Sequence, residues 1–579
     1  MAAGLPNPSV VPFVVAVTGH RDLRAQDEET LRHAVGGVLA EIRERMPSTP
    51  LLVMSGLAEG ADQLAAEVAL EQGAALVAVL PMPLEIYKTT MSPVAQQRFE
   101  ELRTHAAVEI QLPLEGRSEE ELRSSEESRA ACYEALAIFL ARQAQALLAL
   151  WDGRQSNKRG GTSSVVHYVL SGELEGDGGE QIGARCGVVY QVVTPRRSGE
   201  QPEKALSTVT LHCETKPSAT PDETAPVEAA TTTLALLEEN LERFNRTALR
   251  LPDPGAKPRS RLLESGSVPL SDFQQRLETL YGEADAISVR ANGWRKFFLA
   301  MILVVAIVGT LFYGIHGEML ENHVWLWFSF ALFVVAALLL HRAARARHIE
   351  ARYLDARAFA EALRVQFFWN LAGVKQSVDL YFLVDRPSEL DWIRYALKNV
   401  WLLQQGTREA AIAPNRKVVL ECWVKDQRDW YRGKAERQTQ SVHRRERVSR
   451  DALLIAVGWS ILVPLSVMIP GPWHHLGPWK AFQPGNWVYQ LFHVALAVPA
   501  LIAGAYRLWI EQAGYEEQSR EYRSMEREFS IKAKALEANL NTAAVAEDVL
   551  LQLGVAALSE NGRWLLLHRE RPLEVMATP

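Results

Sequence analysis

The 579-residue sequence predicts an α/β domain built on a doubly wound parallel sheet, joined to an all-α membrane domain with four transmembrane helices and cytoplasmic helical stalks. Three observations predict it. Before about residue 213, short β-branched runs alternate six times with longer amphipathic stretches, as strands do when crossover helices cover both faces of a sheet. Glycine-containing turns follow three of those runs. Four apolar runs of near-membrane length lie in the second half, and none lies in residues 1–220.

The first strand is Val14–Val17, apolar on both faces as a buried parallel strand requires. It opens into Thr18-Gly19-His20-Arg21, where Gly19 permits a sharp turn, and helix Glu28–Arg45 follows. The dipole and unpaired donors at that helix start would favour an anion beside His20 and Arg21. Strand Leu51–Met54 leads into Ser55-Gly56-Leu57-Ala58-Glu59-Gly60-Ala61-Asp62 and helix Ala61–Gln72. Strand Ala75–Leu80 ends at Pro81, and strand Val108–Leu112 comes next. Strand Ala146–Leu150 is followed by Trp151-Asp152-Gly153, then by Asn157-Lys158-Arg159 and Gly160-Gly161-Thr162 ahead of helix Ser163–Leu170. Gly187–Val193 is the last strand.

Ligands of open parallel sheets sit at the carboxyl ends of the strands. The candidate ligand-binding residues are therefore Thr18, Gly19, His20, Arg21, Ser55, Gly56, Glu59, Gly60, Asp62, Pro81, Asp152, Gly153, Arg159, Gly160, Gly161 and Thr162. Taken singly, Gly56 and Gly60 read equally as packing glycines, Asp62 as a helix cap and His20 as a surface residue; the joint placement of three loops favours a ligand. The net charge of −7 and the lack of a basic stripe exclude a nucleic-acid polymer as partner. Cys132, Cys186, Cys213 and Cys422 show no metal-finger spacing, so neither a zinc site nor a disulfide is expected. The start MAAGLPNPSVVPF lacks the order of a signal peptide, which keeps the first domain in the cytoplasm.

The chain divides at 1–213 (the α/β domain), 214–270 (a linker with one helix), 271–376, 377–427, 428–542 and 543–579. Residues 194–228, rich in Pro, Thr, Ser and charge, predict a flexible or loosely packed connection. Residues 271–376 and 428–542 each read as helix, two-span hairpin and helix, with spans Phe297–Ile315 and Val324–Leu340, then Ala452–Ile469 and Val488–Ile510. Block 377–427 is expected to be a helical insertion packed on the stalks, and 543–579 a tail docked on the cytoplasmic body. Arg290, Arg295, Lys296, Arg342, Arg345, Arg347, Arg444, Arg445, Arg447 and Arg450 flank the spans, and their side predicts both termini in the cytoplasm of a multi-pass inner-membrane protein.

The motifs TGHRDL, SGLAEGADQLAAEVAL, VLPMP, LWDG and KRGGTSSVV, in this order, resemble the SLOG superfamily, the Rossmann-like group that includes DprA-type proteins and the LOG nucleoside-monophosphate hydrolases. The resemblance implies a bound nucleotide or nucleotide-derived ligand, held at Thr18 to Arg21, at Ser55, Gly56, Gly60 and Asp62, and at Asp152 and Gly160 to Thr162. LOG hydrolases carry a PGGxGTxxE motif; here Val165 stands where the glutamate is expected, and a valine cannot move a proton. A sensor is favoured over an enzyme, and no cofactor is expected.

The second half resembles the two-span SLATT effectors associated with SLOG domains in bacteria. That likeness implies oligomerisation and membrane permeabilisation or disruption on ligand binding, in anti-phage defence, with the lipid bilayer and further copies of the chain as partners. Two alternatives stay open. One is a membrane-anchored LOG-type hydrolase, with a carboxylate from Glu59, Asp62, Glu85 or Asp152. The other is a regulated transporter or channel.

Overall fold

The computed structural model describes residues 4–156, 159–172, 187–198, 201–212, 225–252, 258–264, 266, 268–319, 325–382, 390–405, 413–468, 499, 503–504 and 515–570. It forms two compact units. Unit 1 comprises Met1–Ala284, Ala362–Phe367 and Lys375–Ala413; unit 2 comprises Asp285–Glu361, Phe368–Val374 and Pro414–Pro579.

Unit 1 is a Rossmann-like seven-stranded sheet in the order β4-β3-β2-β1-β5-β6-β7. The strands are β1 (Phe13–Gly19), β2 (Leu51–Ser55), β3 (Ala75–Leu80), β4 (Val108–Gln111), β5 (Ala146–Trp151), β6 (Val188–Val193) and β7 (Thr208–Leu211). Neighbours from β4 through to β6 are parallel, and only β7 runs against its partner. The flanking helices are α1 (Glu28–Arg45), α2 (Ala61–Glu71), α3 (Leu84–Lys88), α4 (Pro93–His105), α5 (Glu119–Ser124), α6 (Glu126–Gln143) and α7 (Thr162–Ser171). Strands β1, β2, β3 and β5 are buried almost throughout, because helices remove both faces from water.

Two expectations need correction. Within residues 194–228, expected to be a flexible or loosely packed connection, β7 pairs along the edge of β6, and Arg196 bridges Leu23 next to β1. The four residues of β7 alternate between exposed and half-buried, so an edge strand hides in a polar composition. Block 377–427 is split, with Lys375–Ala413 belonging to unit 1 and the remainder to unit 2. Its helix α12 lies within the α/β unit, where Trp401 packs edge-on against Phe273 at the start of α9 (Asp272–Met319).

Two helices cover the amino ends of the strands. On α8 (Ala225–Leu249), Asn245 takes the Val11 N–H at 2.9 Å and donates to the Val11 carbonyl at 2.8 Å, while Glu242 accepts from Ser48 N–H and Thr49 Oγ1. From α12 (Asp391–Gln405), Asn399 donates to the Pro12 carbonyl at 2.8 Å and pairs with Gln145, whose Oε1 accepts the Val14 N–H at 2.7 Å. Leu402 and Leu403 of α12 enter the core beside Leu140 and Ala141, and each fully buried leucine contributes roughly 2 kcal/mol.

Unit 2 is helical. Helix α9 (Asp272–Met319) begins in unit 1 and continues without a break, so the predicted stalk and first span are one element. The other helices are α10 (Trp325–Ala346), α11 (Ile349–Ala372), α13 (Arg416–Val419), a π-helical turn Leu420–Lys425, α14 (Asp426–Met468), α15 (Tyr515–Asn539) and α16 (Ala543–Glu570). Contacts at Lys425–Glu537, Arg432–Glu526, Gln438–Gln518 and Ser449–Ala503 run in opposite order along the two segments, so α14 and the chain around α15 are antiparallel. Phe298–Arg347 and Gly309–Phe333 show the same for α9 and α10. The tail helix α16 packs in this unit, with Trp369 Nε1 donating to the Leu550 carbonyl at 3.0 Å and Asn561 donating to the Ala358 carbonyl.

One helix among the described residues is long and apolar enough to cross a membrane. It is the Asp272–Gly309 part of α9, whose most apolar window has a mean hydropathy of 1.6 and is only 12% buried. Of the four expected spans, this is the one that meets the test. The second and third segments are helical, and the fourth, Val488–Ile510, falls almost wholly outside the described residues.

Candidate functional site

The chain fills the sheet outward from β1 to β4 and then returns to the other side of β1 with β5, so the topological switch point lies between β1 and β5. A ligand crevice is expected at the carboxyl ends of those two strands. Thr18 to Arg21 and Asp152 to Gly153 occupy those ends, and Ser55 to Asp62 follows the adjacent β2.

The loop after β1 is fixed on two sides. His20 N–H donates to the Leu150 carbonyl of β5, and the His20 carbonyl accepts the Ala61 N–H of α2, each at 3.0 Å. A side chain on Gly19 would come within 2.8 Å of the Leu150 carbonyl oxygen and would overlap Ala61 Cβ. Gly60 has φ +95°, and a Cβ there would lie 2.7 Å from the His20 carbonyl oxygen and overlap that of Arg21. Both glycines are needed for the close approach of α2 to the β1 loop.

The helix end against this loop belongs to α2, which differs from the expectation for α1. Helix α1 starts only after a 3₁₀ turn, Ala25–Asp27, and its first turn carries Glu28 and Glu29, whose charge opposes a bound anion.

Asp62 is buried, and the backbone amides of Gly19 and Ala58 favour its charged form. Burial raises its pKa to about 7 against the opposing attraction of Arg21. Ser55 Oγ accepts the Leu57 N–H at 3.0 Å and donates to the Asp62 carbonyl at 3.4 Å, holding Leu57 at φ +52°, a left-handed conformation that is costly for a branched residue. The Tyr87 hydroxyl donates to the Gly56 carbonyl at 2.8 Å, and burial lifts its pKa well above the usual range.

Arg21 is exposed, with its guanidinium 5.1 Å from the centre of the Tyr133 ring and Nη1 donating to the Thr90 carbonyl at 3.4 Å. Partial desolvation of the guanidinium pulls its pKa down, but Tyr133, Tyr87 and Asp62 together hold it above its ordinary value. Glu59 accepts both the N–H and the Oγ–H of Ser92, at 3.0 and 2.7 Å. Against the cost of burial, those bonds and the charges of Arg21 and Arg197 hold Glu59 below the usual carboxylate range.

On the other side of the crevice, His20 Nε2 accepts the Asp152 N–H at 3.0 Å and also lies 3.2 Å from Asp152 Oδ1. The first contact needs a bare Nε2 and the second a protonated one. Burial lowers the His20 pKa despite the Asp152 charge, which favours the neutral ring with its proton on Nδ1. Gly153 has φ +85°.

Several other predicted residues have structural work. Gly160, at φ +66°, packs on the backbone of α6, where a Cβ would meet the Tyr133 carbonyl oxygen at 2.8 Å. Arg159 pairs with Glu134 of α6. Gly161 is the N-cap of α7, and Thr162 is its first residue. Pro81 is buried after β3, two strands from β1. Asn157 and Lys158 lie outside the described residues. Val165 is buried in the hydrophobic core.

The sequence reading missed Arg196 and Arg197. Asp22 holds Arg196 Nε at 3.0 and 3.1 Å and accepts from Ser198 Oγ, and Arg197 Nε donates to the Leu23 carbonyl at 2.7 Å. They follow β6 at the carboxyl edge of the sheet, and that position was the available signal. Among the described residues no cluster of three or more His, Cys, Asp or Glu side chains is placed to hold a metal ion. No family model matches this chain, and no curated protein matches it.

Proposed function

We propose that the chain is a membrane-embedded effector that senses a nucleotide-derived signal in the β1–β5 crevice. On binding it oligomerises and permeabilises or disrupts the bilayer, in bacterial anti-phage defence. The observation that carries the sensing half is the cation of Arg21 at the switch point, set over the ring of Tyr133 and flanked by Asp62, Glu59 and Arg197. An arginine held over an aromatic ring suits a phosphate, and the Tyr133 ring suits a base. The burial of Val165 supports binding without turnover, since the position that bears the acid in LOG hydrolases faces the core.

The membrane half draws support from α9 and from exposed apolar side chains on its neighbours. These include Phe328, Leu332, Leu338 and Leu339 on α10, and Leu453, Leu454 and Ile455 on α14. Two antiparallel helix pairs with such faces suit four spans, with both termini and the stalks in the cytoplasm. The defence role rests on the likeness to SLOG and SLATT proteins.

A second reading, LOG-type hydrolysis, is favoured by one observation. Asp62, with a pKa of about 7, has the protonation balance of a general acid.

One experiment separates them. Full-length protein in detergent is titrated calorimetrically with linear, cyclic and ADP-ribose-derived nucleotides, the ligands are recovered for mass spectrometry, and leakage from dye-loaded liposomes is followed. Binding with intact ligand and ligand-dependent leakage, both lost in Arg21→Ala, is the expected result. Release of base or phosphate replaces the sensor with the hydrolase, and no binding across the panel overturns both.

A further inference from the structure

We infer that an arginine-rich collar on α9, α10 and α14 binds the anionic headgroups of one lipid leaflet. This rests on the membrane reading of unit 2. The collar consists of Lys296 on α9, Arg342 and Arg345 on α10, and Arg444 and Arg447 on α14, all exposed.

Each helix carries these cations where its exposed apolar face begins. Lys296 immediately precedes Phe297, which is 52% exposed; Arg342 and Arg345 follow the exposed Leu338 and Leu339; Arg444 and Arg447 lie within three turns of the exposed Leu453 and Leu454. Helices α9 and α10 are antiparallel, so the start of one apolar face and the end of the other fall at the same level. Two contacts fix that level: Arg347 lies 5.7 Å from the Phe298 ring centre, and Arg295 lies 4.9 Å from that of Tyr353. Trp294 is half exposed there, as an aromatic at a water–lipid boundary is.

The five cations have no ion-pair partner among the described residues, whereas Arg32, Arg98 and Arg103 in unit 1 each engage two glutamates. The nearby acids are already engaged. Glu350 lies 4.0 Å from Arg295, Glu446 lies 3.3 Å from His443, and Asp451 lies 3.0 Å from Arg450. The excess positive charge therefore faces outward. A partner that offers an apolar phase and a plane of negative charge in register with it is a lipid leaflet, and a soluble polyanion offers only the second.

The test places the full chain in nanodiscs of phosphatidylcholine alone or mixed equally with phosphatidylglycerol, then counts retained lipids by native mass spectrometry. The expected result is at least about tenfold preferential retention of phosphatidylglycerol, weakened by salt and lost in the quadruple variant Arg342→Gln, Arg345→Gln, Arg444→Gln, Arg447→Gln. A single variant, Arg444→Gln, serves as a second readout if the quadruple one fails to fold, and is expected to lose part of the preference. Equal retention of the two lipids, or an unchanged preference in the variants, overturns the collar and leaves the membrane reading standing. Tighter binding of inorganic polyphosphate than of phosphatidylglycerol also overturns it. Failure to enter either nanodisc overturns the membrane reading itself.

Discussion

Asp62 lies buried in the field of Arg21, so a carboxyl of the protein already stands beside the cation at the end of β1. The carboxyl lies against Arg21 and Tyr87, and burial raises its pKa to about 7. A phosphate arriving at Arg21 brings negative charge beside it and favours the protonated form. Binding of a nucleotide is therefore expected to be accompanied by proton uptake at Asp62.

The first prediction concerns pH and stability. Asp62 binds its proton more tightly folded, at about 7, than unfolded, at the ordinary 3.8. Its contribution to stability is then fully present below pH 3.8, falls as the pH rises towards 7, and is constant above that. Asp62→Asn removes this slope. The stability difference between variant and wild type is expected to shift in favour of the variant by roughly 2–3 kcal/mol between pH 5 and pH 8. Thermal unfolding at the two pH values measures it. Burial, with the charge of Glu361, also lifts Glu560 to about 7, but that group is present in both proteins and cancels. An identical difference at both pH values would disprove the assignment.

Arg21→Lys keeps the charge and gives up the contact of the guanidinium with the Tyr133 ring. Nucleotide affinity is expected to fall about tenfold, with stability changed by no more than about 1 kcal/mol, since the side chain is exposed. Calorimetric titration beside a thermal melt checks both, and an unchanged affinity would remove Arg21 from the site.

The glycines should separate into two classes. Gly60→Ala forces a Cβ onto two carbonyl oxygens at positive φ, and Gly160→Ala does the same against the backbone of α6. Each is expected to cost about 3 kcal/mol or more. At Gly73, φ is +76° but the space is open, so Gly73→Ala should cost only about 1 kcal/mol. Equal melting temperatures for the three variants would contradict the close approach of α2 to the β1 loop.

Asn399→Leu removes the partner of Gln145 and leaves the Pro12 carbonyl without its donor. Stranded buried polar groups cost about 1–3 kcal/mol, which a thermal melt of the full chain resolves. No change would mean that α12 is not integral to the sheet.

Much of unit 1 was legible in the sequence because buried parallel strands have to be apolar on both faces. The limits of β3 and of α1 were read without error, and those of β1, β2, β4, β5 and β6 to within two residues. The misses share a physical cause. The half-exposed edge of β7 gives no apolar run. Asn399 reaches Gln145 across 254 residues of sequence, a distance over which periodicity carries no information. In the site, the three loops were visible, but their internal use was not. That Gly160 serves α6 and Asp62 is buried beside Arg21 depends on tertiary neighbours. In unit 2, α9 passes from an amphipathic to an apolar pattern with no breaker, as the helical periodicity running into the first apolar segment implied.

The position of α12 has a consequence for the order of synthesis. Pro12 is made 387 residues before Asn399, and the whole of α9 and α10 lies between them. The nascent sheet therefore lacks the Asn399 bonds to Pro12 and Gln145, and the places of Leu402 and Leu403 stay uncovered, until both apolar helices have been made. Interrupted translation before that point yields only an unfinished sheet, so a finished α/β unit always comes with its apolar helices attached.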